Sequence, residues 1–126
     1  MNELVNIKLD DFAGTAHHDG NVISIELTGS ADHAAVEPLE EMLAVIHARA
    51  GDLGISEAVI DLRSLEFMNS SCFKSFVTWI SNIRKLESSK QYKVLFRCNP
   101  ALHWQKRSLD ALRCFAVDLI TVDGLV

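Results

Sequence analysis

Val59-Ile60-Asp61-Leu62-Arg63-Ser64-Leu65-Glu66-Phe67-Met68-Asn69-Ser70-Ser71-Cys72-Phe73-Lys74 joins a strand to a helix. Residues 58–62 are a short run of β-formers, the composition of a strand buried on both faces. Phe73, Phe76, Val77, Ile80 and Ile83 follow at spacings of three and four, which predicts an amphipathic helix over residues 71–86. Between them, Asn69, Ser70 and Ser71 carry side-chain oxygens that can cap a helix start. Two hydroxyls are thereby presented beside the orphan amides of a helix N-terminus.

Toward the N-terminus, residues 12–17 and 22–28 flank Asp19-Gly20-Asn21. Asp-Gly between two β-rich runs signals a hairpin. Residues 1–11 alternate weakly, as a short strand or a trailing end. Leu39, Met42, Leu43 and Ile46 predict a helix running to about Arg49 and ended by Gly51. Pro38 fits only a first turn, so the helix starts near Glu37 or Asp32 caps an imperfect turn before it.

Toward the C-terminus, residues 92–98 read as a strand. Asn99-Pro100 reads as the N-cap and first position of a helix carrying Leu102, Leu109 and Leu112. Residues 116–122 read as the last strand. Strands alternating with helices give an α/β fold: a single-layer sheet, mostly parallel after an N-terminal hairpin, with helices packed on it (β-β-α-β-α-β-α-β).

The 126 residues fit one domain, long enough for a single core. A hydrophobic share of 48% and a mean hydropathy of +0.13 argue for a packed globule. No apolar run approaches the roughly 20 residues of a spanning helix, and residues 1–10 lack the pattern of a signal peptide. The expected location is cytoplasmic, with no membrane partner. Cys72, Cys98 and Cys114 show no paired spacing and are expected to be reduced, buried thiols, with no metal site and no cofactor. His17 and His18 are expected in solvent beside the hairpin turn.

Charge is uneven. Residues 1–61 hold 2 basic and 12 acidic side chains, a net of −10, whereas residues 62–126 hold 10 and 5, a net of +5. This asymmetry suits either a protein-interaction surface or solvated faces, and the overall acidity disfavours nucleic acid. Ser70, His33 and Asp32 supply the residue types of a hydrolytic triad, but no G-x-S-x-G elbow and no phosphate-binding P-loop is present, so no enzyme is expected. Lys106, Arg107 and Trp104 read as the outer face of a helix.

The Val59–Lys74 stretch resembles the central motif of the STAS domain of bacterial anti-sigma factor antagonists. There a strand of the form V-x-D-L-x-x-L-x-F-M precedes D-S-S-G and a helix. Here Val59, Asp61, Leu62, Leu65, Phe67 and Met68 match, and Asn69 and Cys72 stand where the family has Asp and Gly. Gly29…Asp32-His33, about 40 residues before Ser70, is similar to the G-x-L-D segment ahead of the family's first helix.

The resemblance implies a single STAS-like domain over residues 1–126, its core at about residues 12–123, and a phosphorylation-controlled binding module without catalysis of its own. It aligns Ser70, rather than Ser71, with the serine phosphorylated by a partner kinase. Asp32, His33, Asn69, Ser71, Cys72, Phe73 and Lys74 are implied as the partner-binding surface. The implied partners are a serine kinase that is also an anti-sigma factor, and a serine phosphatase, with the chain a monomer or weak dimer. Alternatives are a STAS module controlling a non-sigma signalling or secretion complex, or a small-molecule-binding or esterase-like domain using Ser70. Cys72 at a helix start is expected to pack rather than to sense oxidation.

Overall fold

The structure, a computed structural model, describes residues 2–124. Six strands form one sheet in chain order: β1 Asn2–Lys8, β2 Phe12–Asp19, β3 Val22–Ala31, β4 Glu57–Met68, β5 Lys93–Arg97 and β6 Ile120–Asp123. β1, β2 and β3 pair antiparallel, and β3 to β6 pair parallel. Helices α1 Val36–Leu53, α2 Ser70–Arg84 and α3 His103–Phe115 connect successive parallel strands. The expected order therefore holds, with β1 added as a true strand at the sheet edge.

Right-handed crossovers between neighbouring parallel strands put all three helices on one face of the sheet. The strands alternate accordingly. Ala16, Ile25, Ile60 and Phe96 lie side by side across β2 to β5 and are buried. One residue along, Thr15, Glu26, Asp61, Arg97 and Asp123 form a polar row on the opposite face. The central strand is thus buried on one face only. Val59, expected in the core, is half-buried on the open face, while Ala58, Ile60 and Leu62 are fully covered.

Local chemistry explains most element ends. Asp19 pairs with Val22, leaving Gly20-Asn21 as the two-residue hairpin loop. Gly29 sits at φ 89°, where a Cβ would collide with the Asp11 carbonyl oxygen, so the backbones of β3 and the β1–β2 loop meet only because this residue is glycine. α1 does not stop at Gly51. It runs on to Leu53 and ends at Gly54, whose left-handed φ of 64° closes the helix. Both expectations for its start are met, since Asp32 Oδ1 accepts from the Ala34 amide (3.1 Å) over a 3₁₀ turn at His33–Ala35 before α1 begins.

The start of α3 differs from expectation. Asn99-Pro100 makes a turn, with Asn99 Oδ1 accepting from the Ala101 amide (3.0 Å), and the helix begins at His103 without a side-chain cap. The cause is Gln105. Its side chain is fully buried; Oε1 accepts from the Asn99 amide (2.7 Å), and Nε2 donates to the carbonyls of Leu62 (2.6 Å) and Leu65 (2.9 Å). The loop after β5 is thereby committed to β4 rather than to capping the helix.

α2 buries Cys72, Ser75, Phe76, Trp79, Ile80 and Ile83. The expected Phe73 and Val77 are half-buried at the rim of that stripe, because the face turned to the sheet centres on Phe76, Ile80 and Ile83. Phe76 meets Phe96 edge-on, with ring centroids 5.6 Å apart. Two smaller expectations are also corrected. His17 and His18 are half-buried within β2 rather than exposed beside the turn, and Cys114 is exposed because it falls on the outer side of α3. Phe67 is half-exposed where β4 outruns the helices.

Candidate functional site

The carboxyl ends of β3 and β4 lie side by side, with Ala31 paired to Met68, so their following loops leave the sheet together. Asn69 anchors this junction in three ways. Its amide donates to the Ala31 carbonyl (2.9 Å), its Oδ1 accepts from the Cys72 amide (2.8 Å), and its carbonyl accepts from Phe73 (3.1 Å). It is the N-cap of α2, which makes Ser70 and Ser71 the first two helical residues. Their side chains need not cap anything. Both serines are exposed, and neither hydroxyl is hydrogen-bonded among the described residues.

Cys72 is fully buried beneath them, with Sγ 3.5 Å from the Asp32 carbonyl oxygen, so the thiol latches the Asp32 turn to the helix start. Burial pushes its pKa up to about 11, with the charges of Asp32 and Glu40 adding to the shift. A thiol held protonated and inaccessible packs rather than reacts.

Of the residues singled out in the sequence, Asp32, His33, Asn69, Ser70, Ser71, Cys72, Phe73 and Lys74 all fall at this one end. Asp32, His33, Ser70, Ser71 and Lys74 are exposed, and Phe73 is half-buried. No hydrogen bond joins the Ser70 hydroxyl, the His33 ring and the Asp32 carboxylate, which is occupied by the Ala34 amide. The residue types of a triad are present without its geometry. No group of His, Cys, Asp or Glu suited to a metal ion occurs among the described residues.

Two features were missed in the sequence. Phe67, 49% exposed, stands beside the Met68–Asn69 junction. Nothing in the alternation of β4 distinguishes it from a core residue, because its exposure arises where the strand passes beyond the helices. The second is a polar chain behind α2. Trp79 Nε1 donates to Tyr92 Oη (3.0 Å), which lies 2.7 Å from His47 Nδ1. Burial lowers the pKa of His47 and raises that of Tyr92, so both are neutral at pH 7. These three residues lie apart in sequence, on α1, on α2 and just before β5, and only tertiary packing brings them together.

No described helix is long and apolar enough to cross a membrane. No family model matches the sequence, and no curated protein is similar to it in sequence. Solved structures share its fold. An anti-sigma factor antagonist from Mycobacterium paratuberculosis superposes with a TM-score of 0.64 at 19% identity, covering 91% of this chain and 87% of that one. The Bacillus cell fate determinant SpoIIAA, in its phosphorylated form, gives 0.57 at 18% identity over 88% and 91% of the two chains. A Shewanella loihica protein with a SpoIIAA-like fold gives 0.55 at 14% identity over 94% and 90%. The chain therefore has the fold of the anti-sigma factor antagonists, the group that its strand-to-helix motif resembles.

Proposed function

We propose that this chain is a phosphorylation-controlled binding module of the anti-sigma factor antagonist type, acting by partner switching and catalysing nothing itself. The observation that carries the reading is the exposed, unbonded Ser70 hydroxyl at the first position of α2, beside the exposed Asp32 and His33. That one structural neighbour is a phosphorylated form lends it support. In this reading the unphosphorylated end docks a serine kinase that doubles as an anti-sigma factor. Asp32, His33, Asn69, Ser71, Cys72, Phe73 and Lys74 form or hold the docking surface, and Phe67 offers an aromatic anchor.

Phosphate on Ser70 adds about −1.5 to −2 charge at pH 7 and three acceptor oxygens. The free amides of the first turn accommodate it, so the domain stays folded. A partner packed flat on the helix start has to desolvate that charge beside Asp32, and the complex dissociates. A loss of ~3 kcal/mol lowers affinity more than a hundredfold, enough to exchange partners. A serine phosphatase resets the module.

The test uses wild-type protein, Ser70→Ala, Ser70→Asp and Ser71→Ala as baits in lysate of the source cell, with mass spectrometry of captured proteins and of the Ser70–Ser71 peptide. Wild type and Ser70→Ala should retain a serine kinase that Ser70→Asp loses, and Ser71→Ala should still be phosphorylated. Phosphate on Ser71 alone, or equal recovery by Ser70→Ala and the phosphorylated protein, overturns the assignment.

A further inference from the structure

α2 contains no Asp or Glu from Ser70 to Arg84, its first turn included. A helix start without an anion leaves its partial positive charge uncompensated. Asn69 takes the amides of Cys72 and Phe73, whereas those of Ser70 and Ser71 have no partner among the described residues.

One turn further on stands Lys74, exposed and in no ion pair or hydrogen bond among the described residues. It is the fourth residue after Ser70, so the two share one face of α2, with Cβ atoms about 5–6 Å apart. Side chains of a helix lean toward its N-terminus, which carries the Lys74 ammonium toward Ser70 rather than away from it. An anion four residues ahead of a lysine is also the favourable order of such a pair. A bare Ser70 hydroxyl carries no charge and leaves the arrangement unused. Phosphoserine would complete it.

The neighbouring acids make no such claim on Lys74. Glu40 of α1 lines the groove beside Lys74 without pairing with it, and Asp32 keeps its carboxylate on the Ala34 amide. Both charges act on the Cys72 thiol, which places them beside the first turn of α2, where they repel a phosphate. Exposed Glu37 and Glu66 add negative charge at the same end. His33, exposed on the turn before α1, is the other group there that can carry positive charge.

We propose that Lys74 is the intramolecular counter-ion of phosphoserine at position 70, closing an ion pair of i to i+4 spacing along α2. The proposal rests on the phosphorylation reading and deepens it. Phosphorylation then alters the docking end twice: it adds an anion, and it engages the one cation that the first two turns of α2 carry.

The test places genetically encoded phosphoserine at position 70 of the full chain and follows its second ionisation by phosphorus NMR. A nearby cation holds the dianion more strongly than the monoanion, so Lys74→Met should raise the phosphate pKa by about 0.2–0.4 of a pH unit, the size of an exposed pair at this spacing. Lys74→Arg should restore the wild-type value, and Lys90→Met, beyond the far end of α2, should leave it unchanged. The difference made by Lys74→Met should remain in a His33→Gln background and fade in ~1 M salt, where screening acts within about 3 Å. Equal phosphate pKa values in wild type and Lys74→Met, an equal change with Lys90→Met, or a difference that survives high salt overturns the proposal. Because the phosphate is encoded rather than added by a kinase, the two readings fail separately. Absence of phosphate on Ser70 in cells would sink the phosphorylation reading and not the pair, and a missing pair would leave that reading intact.

Discussion

The two faces of the sheet are built from the same strands, one residue out of step, and they hold the molecule together in different ways. On the covered face, Ile25, Ile60 and Phe96 meet the helices with nothing exposed. On the open face, Glu26 lies opposite Asp61, an unfavourable like-charge neighbour. The repulsion is offset by cations on either side. The Arg63 guanidinium makes two hydrogen bonds to the Asp61 carboxylate (3.0 and 2.8 Å), and Arg97 pairs in register with both Asp61 and Asp123. One face stores stability in shape and exclusion of water, the other in balanced charge at the edge of water. The difference explains why the polar face tolerates two neighbouring carboxylates without burying either.

The largest effect that sharpens this contrast is expected from Phe76→Ala. It removes a ring 1% exposed and leaves Phe96 without its edge-on partner, at a cost of about 3–5 kcal/mol in urea melts. A loss below ~1 kcal/mol would place the covered face elsewhere. Next comes Gln105→Leu, which keeps volume but strands the carbonyls of Leu62 and Leu65 and the amide of Asn99. A destabilisation of about 2–3 kcal/mol is expected, and hydrogen exchange should quicken at Asn99 first. Unchanged stability would mean that water replaces the side chain.

Asp61→Asn tests the open face and should cost no more than ~1 kcal/mol, because exposed ion pairs contribute little. Hydrogen bonding from Arg63 holds the Asp61 carboxyl below its usual pKa of 3.8. Its stabilisation is therefore present above pH 3.8 and lost as pH falls through the lower folded value, a loss that the Asn variant should not show in acid titrations. A cost comparable with Phe76→Ala would erase the distinction between the faces.

The smallest effect belongs to His47, at the rim of the covered side. Burial lowers its pKa below 6.5, so below pH 6.5 the unfolded chain binds the proton that the folded chain refuses. Stability should drop as pH falls from 6.5 toward the folded value, and His47→Gln should flatten that part of the melting-temperature profile. An NMR titration placing the His47 pKa at or above 6.5 would contradict the neutral ring.

Elements governed by neighbours in sequence were legible. The Asp19-Gly20 hairpin, the Asn69-Ser70-Ser71 helix start and the three-and-four spacing of Phe76, Ile80 and Ile83 depend on turn geometry, capping and periodicity, each contained within about a dozen residues. The candidate site was readable for the same reason on its α2 side, and the second segment at Gly29–Asp32 was readable through resemblance.

What tertiary structure alone decided involves partners distant in the chain. β4 runs to Met68 because the end of β3 is there to pair with it, and the beginning of α3 retreats to His103 because Gln105 is claimed by β4. Val59 reads as core, since a strand cannot announce which of its faces the helices will cover. The latch of Cys72 on Asp32 and the His47–Tyr92–Trp79 chain likewise exist only once α1, α2 and the strand after them pack. Periodicity records that a residue has an inside and an outside. Which neighbour lies on that inside is fixed by long-range packing, where loop closure is paid for and no local rule reaches.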